Sequence, residues 1–310
     1  MRSAGKFTCD ENSSGMRLDE FLAARLGQLS RMRIAYLLLE GACAVNGSVA
    51  PGGHHLATGD VIEIAFDPDE QTAMTPNALP LKILHEDTDL VVIEKPAGML
   101  VHPTRAEKTG TLANALAYYL NESRITKERN FETEVSNSEQ PALVRPGLVH
   151  RLDRATSGLM VVAKNQRALS ILARHFHRRL VEKKYLAILH GVVIEDEFLV
   201  DAPIGRDADA WPRWRVMASG REARTRVRTL RRKSDKTLVE LEPVTGRTNQ
   251  LRIHCAHVGH AIAGDKWYGG DDAARLCLHA AHLAFHHPAN GDWLEFTSPL
   301  PEELRRVLES

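Results

Sequence analysis

The stretch from Asp67 to Pro80 divides the chain. It runs Asp67-Pro68-Asp69-Glu70, then passes Pro76 and Pro80, and carries little apolar content. Proline has no amide hydrogen and its ring blocks the preceding helical turn, so such a stretch continues neither a helix nor a central strand. It predicts a linker over 67–80, with a small folding unit at 15–66 before it and a large one at 81–310 after it. Residues 1–14, rich in Ser, Asn and Gly, read as a flexible tail.

A chain of 310 residues has room for both units. Its 40 Lys and Arg balance 40 Asp and Glu, which excludes a protein that coats nucleic acid by bulk charge but leaves room for a local basic face. No run of 18 apolar residues exists, so no membrane span is expected, and the polar N-terminus lacks the apolar core of a secretory signal. Cys9, Cys43, Cys255 and Cys277 form no CxxC pair. That scatter points away from disulfides or structural zinc and towards a reducing, cytoplasmic setting.

Periodicity supplies the elements. In the small unit Leu18, Phe21, Leu22 and Leu26 recur at helical spacing, as do Ile34, Leu37 and Leu38. Asn46-Gly47 suits a tight hairpin turn, and Val61 to Ile64 reads as a strand. In the large unit, strands are expected at 81–84 and 90–93, at 159–163 and 185–189, and at 223–230, 238–244 and 279–285. Helices are expected at 111–120, at 166–181 and after Arg247, and the polar stretch 121–141 reads as a surface insertion. Hairpins of this kind, without a regular βαβ series, indicate an α+β fold.

Charge is uneven. Residues 145–185 hold ten Lys or Arg against two Asp or Glu, and 205–252 hold thirteen against six, whereas 15–66 hold four against five. Two basic stretches in the large unit have the footprint expected for a polyanion such as RNA.

The chemistry concentrates in Gly147-Leu148-Val149-His150-Arg151-Leu152-Asp153-Arg154-Ala155-Thr156-Ser157-Gly158-Leu159. One carboxylate stands between two arginines on a loop that enters a buried strand. Arginine favours the ionised form, which suits a nucleophile or base. A turn in which Asp153 accepts bonds from the Thr156 or Ser157 amides uses the same residues without chemistry.

His-Arg-Leu-Asp followed by Thr-Ser-Gly-Leu resembles the signature loop of the RluA branch of RNA pseudouridine synthases. Flanking blocks resemble the family in order: Glu94-Lys95-Pro96-Ala97-Gly98, Lys184-Tyr185, Thr245-Gly246-Arg247-Thr248-Asn249-Gln250-Leu251-Arg252, and Gly264-Asp265-Lys266-Trp267-Tyr268-Gly269. Asn249 stands where many members have His, and Ala261 where many have Pro. The resemblance implies the pseudouridine synthase fold, a mixed and mostly antiparallel sheet flanked by helices and loops. It implies isomerisation of uridine in RNA with no cofactor and no metal. Asp153 would attack the ribose or take its C2′ proton, Arg252 would pair with it through a bidentate guanidinium, and Tyr185 would stack on the uracil and help remove the C5 proton. Arg151 would fill the gap left by the displaced base or contact phosphate. His150, Arg154 and Arg247 join it as RNA-binding candidates.

Residues 15–66 resemble the alpha-L RNA-binding domain of the ribosomal protein S-four type, through Arg17-Leu18-Asp19, Leu29-Ser30-Arg31, Gly41, Val45-Asn46-Gly47 and Gly59-Asp60. That resemblance implies a small N-terminal α/β RNA-binding domain with Arg31 and Arg33 as contacts. An appended module of this type points to large-subunit ribosomal RNA first and transfer RNA second, and a site held within one domain suits a monomer. A non-catalytic RNA-binding protein of ribosome assembly on the same scaffold is the alternative. The His254, His257 and His260 series lacks nearby acids for a metal, and no Gly-x-Ser-x-Gly elbow surrounds Ser157.

Overall fold

The computed structural model describes residues 3–26, 29, 31–67, 75–104, 106–130, 144–207, 213–270 and 273–310. Contacts divide the chain into two compact units, residues 1–80 with 102–146, and residues 81–101 with 147–310.

The first unit is built on a four-stranded sheet. Strand β1 (Ser3–Thr8) pairs antiparallel with β4 (Val61–Phe66), which also pairs with β2 (Cys43–Val45), and β3 (Ser48–Val49) closes the hairpin. Helices α1 (Leu18–Arg25) and α2 (Arg31–Leu39) cover it. Leu18, Phe21, Leu22, Ile34 and Leu37 meet Ile62 and Ile64 in one apolar core, as the helical and alternating spacings require. Asn46 and Gly47 both take positive φ, the conformation of a two-residue turn whose twist matches its strands.

The flexible tail expected at 1–14 is not found. Ser3 to Thr8 forms β1, Phe7 packs on the core, Cys9 is buried, and Asp10 caps a short 3-10 turn by accepting from the Ser13 amide. A lone strand beside Gly and Ser carries too short an alternation to be read, and its partner β4 lies more than fifty residues away.

The linker expected at 67–80 falls largely on 68–74, outside the described residues. Its end is anchored. The Asn77 amide donates to Asn114 O, Asn77 Oδ1 accepts from Gly110, and Asn114 Nδ2 donates to Thr75 O. These bonds tie it to the start of α3 (Leu112–Asn130), which is why 102–146 groups with the first unit rather than within the expected 81–310. Helix α3 also runs ten residues past Leu120, so the insertion expected at 121–141 begins as helix, and its remainder at 131–141 lies outside the described residues.

The second unit is organised by one ten-stranded sheet. In spatial order it runs β10 (Glu197–Asp201), β13 (Arg224–Arg232), β14 (Lys236–Pro243), β9 (Glu182–His190), β15 (Leu278–His286), β8 (Ser157–Ala163), β6 (Leu90–Lys95) and β5 (Lys82–Glu86). Strand β7 (Gly147–Leu148) pairs with β8 and β16 (Trp293–Thr297) with β15. Every pairing is antiparallel except β15 with β8. The result is the expected mixed, mostly antiparallel sheet. A two-stranded ribbon, β11 (Ile204–Arg206) with β12 (Trp214–Val216), stands apart. Helices α4 (Gln166–His177), α5 (Gln250–His257) and α6 (Glu302–Glu309) complete the unit.

All seven residues of β8 are buried, which accounts for their continuous small and apolar run. Gly158 lies where β8 meets β15, with φ of +118°. A Cβ there would stand 2.2 Å from Ala280 O and 2.6 Å from Ala280 N, so only glycine allows this approach. The parallel pairing His279–Ser157 and Ala280–Gly158 therefore docks the end of the signature loop into the middle of the sheet.

Candidate active site

A cavity of about 840 Å³ opens in the second unit, lined by the signature loop, the end of α4, the start of β9, the end of β14 and the start of α5. Asp153, Tyr185, Arg252, Arg151, His150 and Arg247 all line it. Segments separated by a hundred residues converge because β9 lies between β14 and β15, and β15 carries β8.

The loop is held by its main chain. The Thr156 amide donates to Asp153 O at 3.1 Å, and Arg154 O accepts from the Gly98 amide at 2.8 Å and from Lys95 Nζ at 3.2 Å. Lys95 is fully buried and also donates to Pro96 O and Met99 O. Burial pushes its ammonium down to about 8, with Asp153 opposing that fall and Arg275 adding to it. The turn is thus closed by a carbonyl, and the Asp153 carboxylate accepts no hydrogen bond from it. That carboxylate faces Arg252 Nη1 at 3.8 Å.

Arg252 does not pair with Asp153 as a bidentate fork. Its Nε and Nη2 donate to the two oxygens of Asp265 at 2.7 and 2.6 Å, and Asp265 is buried. Only Nη1 is left towards Asp153, and it also donates to Asn249 Oδ1 at 3.4 Å. The expected pairing misplaced the fork because two carboxylates compete for one guanidinium, and the buried one, on the tight turn after α5, wins the planar geometry. Asn249, one of the two departures from the usual pattern, therefore touches this arrangement directly. It takes φ of +54° at the start of α5, a conformation Asn tolerates better than most residues.

Electrostatics follow. Burial raises the Asp153 carboxyl above its ordinary value. Arg252 and Arg151 oppose the rise, Asp265 adds to it, and Lys95 opposes it. The guanidinium therefore limits the desolvation of this acid without overturning it. Tyr185 is also pushed up, by burial and then by the Asp153 charge. Its hydroxyl stays protonated near neutrality, so it presents a ring and a hydrogen-bond donor to the cavity. When ionised, a carboxylate that accepts no hydrogen bond among the described residues, beside a phenol ring, can attack an electrophilic carbon or take a proton.

The other candidates separate. His150 lines the cavity as a neutral ring: burial and then Lys183 take it down to about 3, it stacks on Phe176 at 4.5 Å, and its Nε2 accepts from the Val161 amide. Arg151 is exposed at the cavity, whereas Arg154 does not line it and contributes its carbonyl. Arg247 lines it and anchors its Nε on Glu222 O. Arg31 and Arg33 lie on α2 of the first unit, with Arg33 over the Tyr36 ring. The 205–252 stretch is less basic than its composition suggests. Arg226 pairs with Glu242 and Arg228 with Glu240 across the β13–β14 ladder, Arg224 with Glu222, and Arg231 with Glu309.

Ser157 is buried and bonds His279, which bonds Ser298, which bonds Glu94. This polar chain crosses the sheet and does not line the cavity. His254 is held by Thr225 and Ala202 O, and His260 by His190 O. Among the described residues one set of potential metal donors converges, Asp87, Asp89 and His287. Its donors are already engaged: Asp87 Oδ1 accepts from two amides, His287 Nδ1 accepts from Ala289, and Asp89 Oδ1 accepts from Asn165.

No helix among the described residues is long and apolar enough to cross a membrane. The family described as RNA pseudouridylate synthase matches residues 89–257. A Bacillus subtilis protein called "Uncharacterized RNA pseudouridine synthase YlyB" is 36% identical over 306 residues, covering 98% of this chain and 96% of that one. A Nitrosomonas europaea protein called "Ribosomal large subunit pseudouridine synthase D" is 37% identical, covering 98% and 87%. The solved structure of "Human RNA Pseudouridylate Synthase Domain Containing 1" aligns with a TM-score of 0.56 and 27% identity over 72% of this chain and 85% of that one. The α+β fold, the cavity and these relatives agree, and the chain belongs to the RNA pseudouridylate synthase family, as an enzyme that isomerises uridine in RNA.

Proposed function

We propose that the substrate is large-subunit ribosomal RNA and that Asp153 carries the chemistry. The observation behind this reading is a carboxylate in a cavity of about 840 Å³ that accepts no hydrogen bond among the described residues and faces the Arg252 guanidinium at 3.8 Å. Asp153 attacks C1′ of the ribose or takes the C2′ proton, and the N-glycosidic bond breaks. The uracil turns and C5 joins C1′, breaking the Asp153–C1′ bond on the first route or returning the proton to C2′ on the second; the C5 proton then leaves, and N1 ends protonated. Tyr185 supplies the ring on which the uracil rests, and Arg252 stabilises the charge on Asp153. Arg151 takes the space of the extruded base or binds its phosphate, which offsets part of the few kcal/mol of unstacking. Relatives named for the ribosomal large subunit support the choice of RNA. The first unit positions that RNA through α2, with Arg31 and Arg33 as contacts, and the protein acts as a monomer.

The test is incubation of the purified protein with transcribed large-subunit ribosomal RNA and, separately, with transfer RNA, followed by mapping of pseudouridine. Site-specific conversion in the ribosomal RNA, absent with Asp153→Asn, is expected. Conversion confined to transfer RNA overturns the choice of substrate, and wild-type conversion by Asp153→Asn overturns the role of the acid.

A further inference from the structure

Helix α4 ends in a way that its sequence does not favour. The Leu180 amide donates to His175 O at 2.9 Å and the Arg179 amide to Phe176 O at 3.2 Å. This bond pair is a Schellman closure, and it requires a left-handed residue at the first position beyond the cap. That residue is Arg179, with φ of +60°. Glycine takes this conformation freely, whereas a Cβ crowds its own carbonyl. The chain has thus placed a long cation where its backbone is better served by glycine.

The surroundings do not neutralise that cation. Arg179 is exposed and lines the cavity that holds Asp153, and Lys183 lines it too. Burial pushes the Lys183 ammonium down and the Arg179 charge pushes it further. Among the described residues no carboxylate pairs with either. The glutamates that line the cavity or feel the Arg179 charge are engaged elsewhere, Glu222 with Arg224, Glu242 with Arg226 at 2.7 Å, and Glu182 towards His282 at 3.7 Å. The Glu222 carboxyl is held down chiefly by Arg224, and only at the margin by Arg179 and Arg247. Two like charges in one cavity wall, one on a strained backbone, form a site that a doubly coordinated anion would relieve.

We infer that Arg179, with Lys183 beside it, grips a backbone phosphate of the RNA next to the nucleotide entering the cavity. The inference rests on RNA as substrate but not on which RNA or which uridine. The competing account is local: a cation at a helix C-terminus also favours the helix dipole. The two accounts predict opposite responses to Arg179→Gly.

The experiment uses the full-length protein, Arg179→Gly and Arg179→Lys, with a uridine-containing stem-loop of large-subunit ribosomal RNA as probe. Affinity is measured from about 50 to about 200 mM salt, alongside melting temperature and single-turnover pseudouridine formation. Arg179→Gly is expected to melt no lower than wild type, to bind roughly 5- to 10-fold more weakly, and to lower the slope of log K against log salt by about 1. Its rate at subsaturating RNA falls by the same factor as its affinity, and Arg179→Lys keeps the slope. Wild-type affinity and slope in Arg179→Gly overturn the inference, and so does a lower melting temperature with an unchanged slope. If the wild type binds with this Arg179-dependent slope yet converts no uridine, the proposed function fails while the phosphate contact stands.

Discussion

Two aspartates of the second unit occupy turns beside the same sheet and end in opposite states. Asp87, between β5 and β6, accepts from the Asp89 and Leu90 amides at 2.7 and 2.9 Å and meets His85 and His287 at 2.9 and 3.1 Å. Burial alone would raise it, but the bonds from His85, the two amides and His287 bring it down to about 2. Among the described residues Asp153 accepts no hydrogen bond, and burial raises it against three cations. The first carboxylate is part of the scaffold because its lone pairs are filled. The second keeps its lone pairs free for the proposed chemistry because a carbonyl, Asp153 O, closes its turn in place of the side chain.

The widest separation between the two comes from removing each charge. Asp153→Asn is expected to lower pseudouridine formation by roughly 10⁴-fold with RNA affinity nearly intact, read by single-turnover assay and filter binding. The sign of its stability effect follows from linkage. A carboxyl raised on folding binds its proton more tightly in the native state, so stability falls as pH climbs through its folded pKa. At neutral pH Asp153→Asn therefore melts at or above the wild-type temperature, and a clear drop would place Asp153 with Asp87 as a structural acid.

Asp265→Asn sharpens the comparison next. It releases two donors of Arg252 and removes a negative charge that disfavours ionised Asp153. The acid limb of the pH–rate profile is expected to move to lower pH, while kcat falls by about 10²-fold because Nη1 is no longer aimed. An unmoved limb would show that Asp265 serves folding alone.

Asp87→Asn gives a smaller and purely structural effect. A carboxyl held below its unfolded value stabilises above that value, and the contribution is lost as pH falls through about 2. Near neutrality the variant is expected to lose about 2 kcal/mol in urea titrations, with the difference closing between pH 4 and 2 and with activity unchanged. Arg228→Gln, on the exposed β13–β14 ladder, marks the lower bound. It should change stability by less than about 1 kcal/mol and leave the salt slope of RNA binding alone.

Much of this was legible from residue order. The strands at 90–93 and 159–163, the Asn46-Gly47 turn and the convergence of Asp153, Tyr185 and Arg252 on one cavity agree with the expectations from periodicity and resemblance. What escaped shares a cause, since each depends on a partner distant in the chain. Counting charge along 205–252 misses the glutamates that β14 sets opposite the arginines of β13. Pairing Arg252 with Asp153 leaves out Asp265, although that residue lies in the block from Gly264 to Gly269. Expecting helix through 181 hid the left-handed Arg179, because the Schellman closure depends on amides that sequence periodicity does not report. The strand Ser3–Thr8 was invisible without β4.

The anchoring of the signature loop has a practical consequence. Lys95, Gly98 and Thr156 grip carbonyls, and Gly158 nests against the backbone of Ala280, so none of these contacts uses a side-chain atom of residue 153. That position behaves as an interchangeable tool in a fixed holder. An inert residue there would leave the substrate seat intact, and the disarmed protein would serve as bait for recovering whichever transcript it normally edits.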